Sequence, residues 1–112
     1  MPDSSKQADL LQGTLNMLIL QVLSRGEANG YEVAKRIEDR SDSALIVDHG
    51  SLYPALRRME ANGWITASWE MSATNRRARY YALTAAGRKQ VAVERSRWSA
   101  TSVAISRVME MA

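Results

Sequence analysis

The run DHGSLYPALRRMEANGWI, residues 48–65, leaves its middle little choice of conformation. Leu52, Ala55, Leu56 and Met59 recur at the three-and-four spacing of one helix face. Asn62 and Gly63 close that pattern, because both residue types tolerate the left-handed backbone that ends a helix. Pro54 sets the other end: inside a helix a proline costs ~3 kcal/mol, whereas in the first turn its missing N–H has no intrahelical partner to lose. A helix over 51–62 is therefore predicted, on the order of 18 Å long at the α-helical rise. With its apolar residues seated on a core, Tyr53, Pro54, Arg57, Arg58 and Ala61 lie outside, and Ser51 stands near the start.

Upstream, Leu11, Leu15, Leu18 and Val22 keep helical spacing over about 10–24, and Met17, Ile19, Leu20 and Leu23 widen the apolar surface beyond one stripe. That helix is expected to be covered on more than one side. Gly26 stops it, and Asn29 is suited to cap a second helix over 30–40, with Tyr31, Ala34 and Ile37 inward. Residues 1–9 are polar and carry a proline, and are expected to form a flexible arm. Downstream, WITASWE and RYYAL are aromatic and β-branched and flank the turn-rich MSATNRRA, the pattern of a two-stranded hairpin with an arginine-rich tip. Thr84 caps a last helix toward residue 112, in which Val91, Trp98, Ile105 and Ala112 stand seven apart. At roughly 36 Å such a helix outruns so small a body and seeks a second subunit. Glu94, Arg95, Thr101 and Ser102 interrupt the pattern a coiled coil would want.

Helix, helix, helix, hairpin is the order of a helix-turn-helix with a wing, so the fold class is mainly α with a small β-hairpin. The winged helix-turn-helix spans 10–83 and the long C-terminal helix, expected to carry dimerisation, spans 84–112. Residues 76–98 hold seven basic residues against one acidic residue, a local excess that the chain's net +3 understates and that suits a polyanion. The major groove of B-form DNA, ~12 Å wide, admits one helix, and an arginine there pairs bidentately with guanine. Ser51 and the backbone N–H groups at the helix start could hold a phosphate. Asn75, Arg76, Arg77 and Arg79 would reach phosphates or the adjacent minor groove.

Other chemistries find no support. The chain has no cysteine, and His49 is its single histidine, so neither a thiolate site nor a histidine-based metal centre can be assembled, and no cofactor is expected. DHGS places neighbours side by side, where a catalytic triad needs side chains that converge. No catalytic constellation is present, and an enzyme is not expected. The apolar stretch LNMLILQVL is too short for a bilayer and the N-terminus lacks a secretion signal, which points to a cytoplasmic protein without membrane contact.

GSLYPALRRMEANGWI, followed by NRRARYYALTAAGR and preceded by NGYEVAKRI, resembles the PadR family of bacterial transcriptional regulators, over about residues 11–98. The resemblance implies a winged helix-turn-helix, a homodimer built on the last helix together with the first, and binding to a palindromic operator, usually as a repressor. The chain is similar to the short type with a single C-terminal helix. By position, Ser51, Tyr53, Pro54 and Arg57 match the recognition helix, beside the more variable Arg58. Gly30 and Tyr31 match the start of the second helix near the DNA backbone, and Arg76 to Arg79 match the wing. Leu11, Leu15, Val91, Trp98 and Ile105 would form the dimer interface. Met59 and Trp64 stand where leucine is commoner.

Two readings remain open for Trp98: a dimer-core aromatic, or a platform for a planar aromatic effector, as its place resembles that of a tryptophan some short members use for stacking. Asn16, polar in an apolar helix, could line the same cavity or satisfy a local hydrogen bond. Trp69, Tyr80 and Tyr81 are expected to pack the hairpin. The alternative to a DNA-binding regulator is a winged-helix module whose basic face meets an acidic protein.

Overall fold

A computed structural model describes the backbone of residues 4–111 and the side chains of residues 14–111. Helix α1 (Ser4–Leu23) starts well ahead of residue 10. Residues 4–9 thus join the helix instead of forming part of an arm: no glycine or proline stands between Pro2 and Gly13, and Lys6, Gln7 and Ala8 favour helix. Residues 1–3, Ala112 and the side chain of Leu11 lie outside the described residues. Past α1, Gly26 takes φ +141°, and the chain enters a two-residue strand β1 (Ala28–Asn29). Asn29 then caps α2 (Gly30–Arg40) reciprocally: its Oδ1 accepts from the Glu32 N–H at 2.8 Å while Glu32 Oε1 accepts from the Asn29 N–H at 3.0 Å. Gly30, Val33, Ala34 and Ile37 form the buried stripe of α2. Tyr31, expected inward, lies off that stripe and is 65% exposed.

Helix α3 (His49–Ala61) begins at Asp48, whose carboxylate accepts from the Gly50 N–H at 3.2 Å. Pro54 therefore lies two residues deeper than expected, in the second turn. The carbonyl it leaves without an α-helical partner belongs to Gly50, an exposed residue in the first turn, so solvent can reach that carbonyl. At the far end Gly63, φ +77°, and Trp64 donate their N–H groups to the carbonyls of Glu60 and Met59, both at 3.0 Å. This left-handed exit turns the chain back into the sheet.

Strands β2 (Ile65–Met71) and β3 (Arg77–Leu83) pair antiparallel from Ile65↔Leu83 to Met71↔Arg77. The expected two-stranded hairpin gains a third strand, because β1 pairs with β3 through Ala28↔Tyr81 and Asn29↔Tyr80. The turn after α1 thus ties the wing to the capped start of α2. Arg77 and Arg79 lie within β3, so Arg76 alone of the three arginines sits in the turn.

Thr84 joins the sheet to α4 (Ala85–Met109): its hydroxyl donates to the Gly63 carbonyl at 2.6 Å and accepts from the Gly87 N–H at 3.0 Å. A Cβ on Gly87 would collide with the Trp64 carbonyl oxygen, so only glycine lets α4 start this close to the sheet. The core gathers Leu15, Ile19 and Leu20 of α1, Val33 of α2, Leu52, Leu56 and Met59 of α3, and Ile65 of β2. Burying each such side chain stabilises the fold by about 1.5–3 kcal/mol. From α4 only Gly87 and Val91 are buried. The rest of α4 projects, and the Cα radius of gyration reaches 15.4 Å where a compact chain of this length would give about 13 Å. Among the described residues no helix is long and apolar enough to cross a membrane.

Candidate nucleic-acid interface

Seating Leu52, Ala55, Leu56 and Met59 in the core turns the opposite face of α3 outward. Arg57 and Arg58 are exposed there, and neither guanidinium makes a hydrogen bond or an ion pair among the described residues, although the Arg57 charge acts on the Tyr81 phenol. Tyr53 lies one turn before Arg57, its ring packed over Gly30 and 6.0 Å from the His49 ring. A Cβ at Gly30 would come within 2.7 Å of the Tyr53 ring. Gly30 is therefore buried beneath Tyr53, and it serves the outer face by admitting that ring. Tyr31, the next residue, is the exposed one.

The Ser51 hydroxyl donates to Asp48 Oδ2 at 3.3 Å, and the same carboxylate takes the Gly50 N–H. The anion at the start of α3 is thus supplied by the chain itself, and a phosphate approaching Ser51 would have to displace it or share its donors.

The wing brings a second set of cations to the same side. Arg79 Nη2 reaches both carboxylate oxygens of Glu60, at 2.9 and 3.2 Å, joining β3 to the last turn of α3. Arg77 lies over the Trp69 ring, 5.3 Å from its centroid. Arg76 is exposed at the turn, where Asn75 takes φ +61° and the Ser72 N–H closes on the Arg76 carbonyl at 2.7 Å. Between this wing and the start of α2 lies a cavity of about 640 Å³, lined by Tyr31, Tyr53, Trp69 and Arg76, Arg77 and Arg79 among others. Tyr81 closes its base, and burial pushes its phenol above the ordinary value of 10.0, opposed by the Arg79 guanidinium.

The residues expected at a subunit interface divide. Leu15 is 1% and Val91 6% exposed, both consumed by the protomer's own core, so neither offers surface to a second chain. Trp98 and Ile105 are about half exposed on α4, alongside Val93, Val103, Val108 and Met109. The Asn16 side-chain oxygen is buried and has no hydrogen-bond partner among the described residues.

Three contributors went unnoticed in the sequence. Asp48 carried a signal, an aspartate just before a helical pattern, which is a preferred cap. Glu60 carried none: its tie to Arg79 spans 19 positions and depends on how the hairpin folds back over α3. Trp69 was read as packing, yet it is 58% exposed and its ring holds a wing arginine.

Residues 19–93 match the Transcriptional regulator PadR-like family. The fold is similar to that of a transcriptional regulator from Clostridium thermocellum, with a TM-score of 0.80 and 30% identity, covering 88% of this chain and 96% of the other. A PadR-like transcriptional regulator from Bacillus cereus gives 0.79 and 26% identity, covering 93% and 99% of the two chains. In sequence the chain is 26% identical over 77 residues to the negative transcriptional regulator PadR of Bacillus subtilis, of which it spans 42% of the length. A winged helix-turn-helix with its cationic outer face, matched from the end of α1 into α4, makes this chain a member of the PadR-like family of transcriptional regulators.

Proposed function

We propose that the chain is a homodimeric repressor that reads a palindromic operator, each α3 entering the major groove of one half-site. The observation that carries this reading is the pair Arg57 and Arg58, exposed and unpaired on the one face of α3 that the core leaves outside. Arg57 supplies base recognition, Tyr53 and Pro54 shape the surface around it, and Ser51 and Tyr31 meet the backbone at the edges. Arg76, Arg77 and Asn75 reach the adjacent phosphates or minor groove. Arg79 acts there once released from Glu60. The exposed apolar run of α4, Trp98 and Ile105 included, supports pairing through that helix, since water-facing valine, isoleucine and tryptophan along one element favour a partner. Two-fold pairing would set half-sites about one helical turn, ~10 bp, apart. The description of the Bacillus subtilis relative as a negative regulator supports repression.

A planar aromatic effector between the subunits would stack on the exposed Trp98 ring, and the Asn16 oxygen, buried within the protomer and without a partner among the described residues, would accept from it only if α1 shifted to uncover it. Selection of bound sites from random DNA tests the main reading. A symmetric consensus is expected for the wild type and a degraded one for Arg57→Ala, and recovery of unrelated sequences would overturn base recognition.

A further inference from the structure

A second concavity lies away from the wing, where α1, α2 and the segment after α2 meet. It encloses about 480 Å³, within the ~300–1,000 Å³ range of small-molecule sites. Leu18 and Val22 of α1, Ile37 of α2 and Leu45 of the following segment supply its apolar lining. Arg25 and Arg40 stand at its edge, just past the end of α1 and at the last residue of α2. Neither has a partner among the described residues. Arg36, the third arginine, is held in the wall by bonds to the Gly26 and Glu27 carbonyls at 3.2 and 3.3 Å. Among the described residues no acidic and no aromatic side chain lines the groove.

We infer that this groove binds a small alkyl carboxylate, its chain on the Leu18, Val22, Ile37 and Leu45 surface and its carboxylate between Arg25 and Arg40. Charge selects the headgroup: two unpaired guanidinium groups beside an apolar floor suit one anion bonded to both, the fork geometry that arginine and carboxylate share. The lining selects the tail, because an aliphatic wall without a ring offers a flat aromatic body nothing to stack on. Neither α3 nor Trp98 contributes to the groove's lining, although the lining residue Gln21 accepts from Arg95 Nε at 2.6 Å, one turn of α4 before Trp98. Its wall is also part of the lead into α3. The Ser41 hydroxyl accepts from the Leu45 N–H at 3.0 Å, and Glu38 Oε1 accepts from the Val47 N–H at 3.3 Å just before the Asp48 cap. A ligand resting on Leu45 therefore presses on the segment that sets where α3 begins.

Calorimetric titration of the full chain with decanoate, below its micelle concentration, tests this directly, with acetate and decanol as the headgroup-only and tail-only controls. Saturable decanoate binding is expected, with neither control matching it. The R25Q/R40Q variant should bind decanoate roughly tenfold more weakly or worse, as loss of charge-assisted hydrogen bonds implies, while its thermal midpoint stays near that of the wild type. L45W, at a position already partly exposed, should block the groove and abolish binding. Trp98→Phe should leave it intact. Absence of saturable binding, unchanged affinity in R25Q/R40Q, or loss of binding only in Trp98→Phe would overturn the inference. So would a change of oligomeric state in L45W without decanoate binding by the wild type, which would make the groove a seat for a second copy.

Discussion

Arg57 and Arg58 on α3 and Arg77 and Arg79 on β3 carry the same charge toward the same side, and they differ in what holds them. The α3 pair makes no hydrogen bond, ion pair or ring contact among the described residues, whereas Arg77 rests on Trp69 and Arg79 is bonded to Glu60. An unheld arginine can search for a base edge but must give up ~2 kcal/mol of rotamer freedom when it finds one. A held arginine loses less freedom and must trade its present partner for the new one. The difference suits a division in which the helix discriminates between bases and the wing fixes register on the backbone.

The comparison presumes a common floor, and Leu56→Ala removes it. A fully buried leucine at the centre of α3 should cost ~2–5 kcal/mol, read as a lowered thermal midpoint, with binding through both sets lost in parallel. Arg57→Ala tests the helix side alone. A loss of ~1–3 kcal/mol on a selected operator with little change on random DNA is expected in competition gel shifts, and equal loss on both would erase the proposed division. Glu60→Gln tests the wing side by releasing Arg79. This half-exposed ion pair is worth at most ~1 kcal/mol of stability, so the fold should hold. If Arg79 then takes a phosphate, the logarithmic salt dependence of DNA binding should steepen by ~0.9. An unchanged slope would make Arg79 a strut between β3 and α3. The smallest effect belongs to Tyr81. Its raised phenol means the unfolded chain gives up its proton first, so this residue's contribution to stability is lost as pH rises past 10.0. Tyr81→Phe should flatten that alkaline fall and leave neutral-pH stability nearly unchanged.

Much of the arrangement was legible because periodicity reports local geometry. The buried face of α3 follows directly from the spacing of Leu52, Leu56 and Met59, whereas in α1 Leu15 and Val22 of the expected stripe are buried together with Ile19, Leu20 and Leu23 from its widened flank, and Leu18 is only partly covered. Boundaries were read less well. Asp48 rather than the proline sets where α3 starts, and residues 4–9 extend α1 because nothing in them opposes helix. Tyr31 and Leu15 exchanged expected places: tyrosine near a helix start looks inward on composition, yet the stripe through Val33 and Ile37 turns it out, while Leu15 is claimed by the protomer before a partner can reach it.

From the amino acids alone came the order of three helices and a hairpin, the cationic character of one surface and the PadR resemblance, all of which rest on neighbours within a few positions. Folding in three dimensions decided that β1 would join the sheet, that Glu60 would restrain Arg79, that Gly30 would lie under Tyr53, and that Arg25 and Arg40 would flank one groove. Each of these depends on side chains from separate elements meeting at a few ångströms, a distance set by how the core packs and invisible to any local pattern.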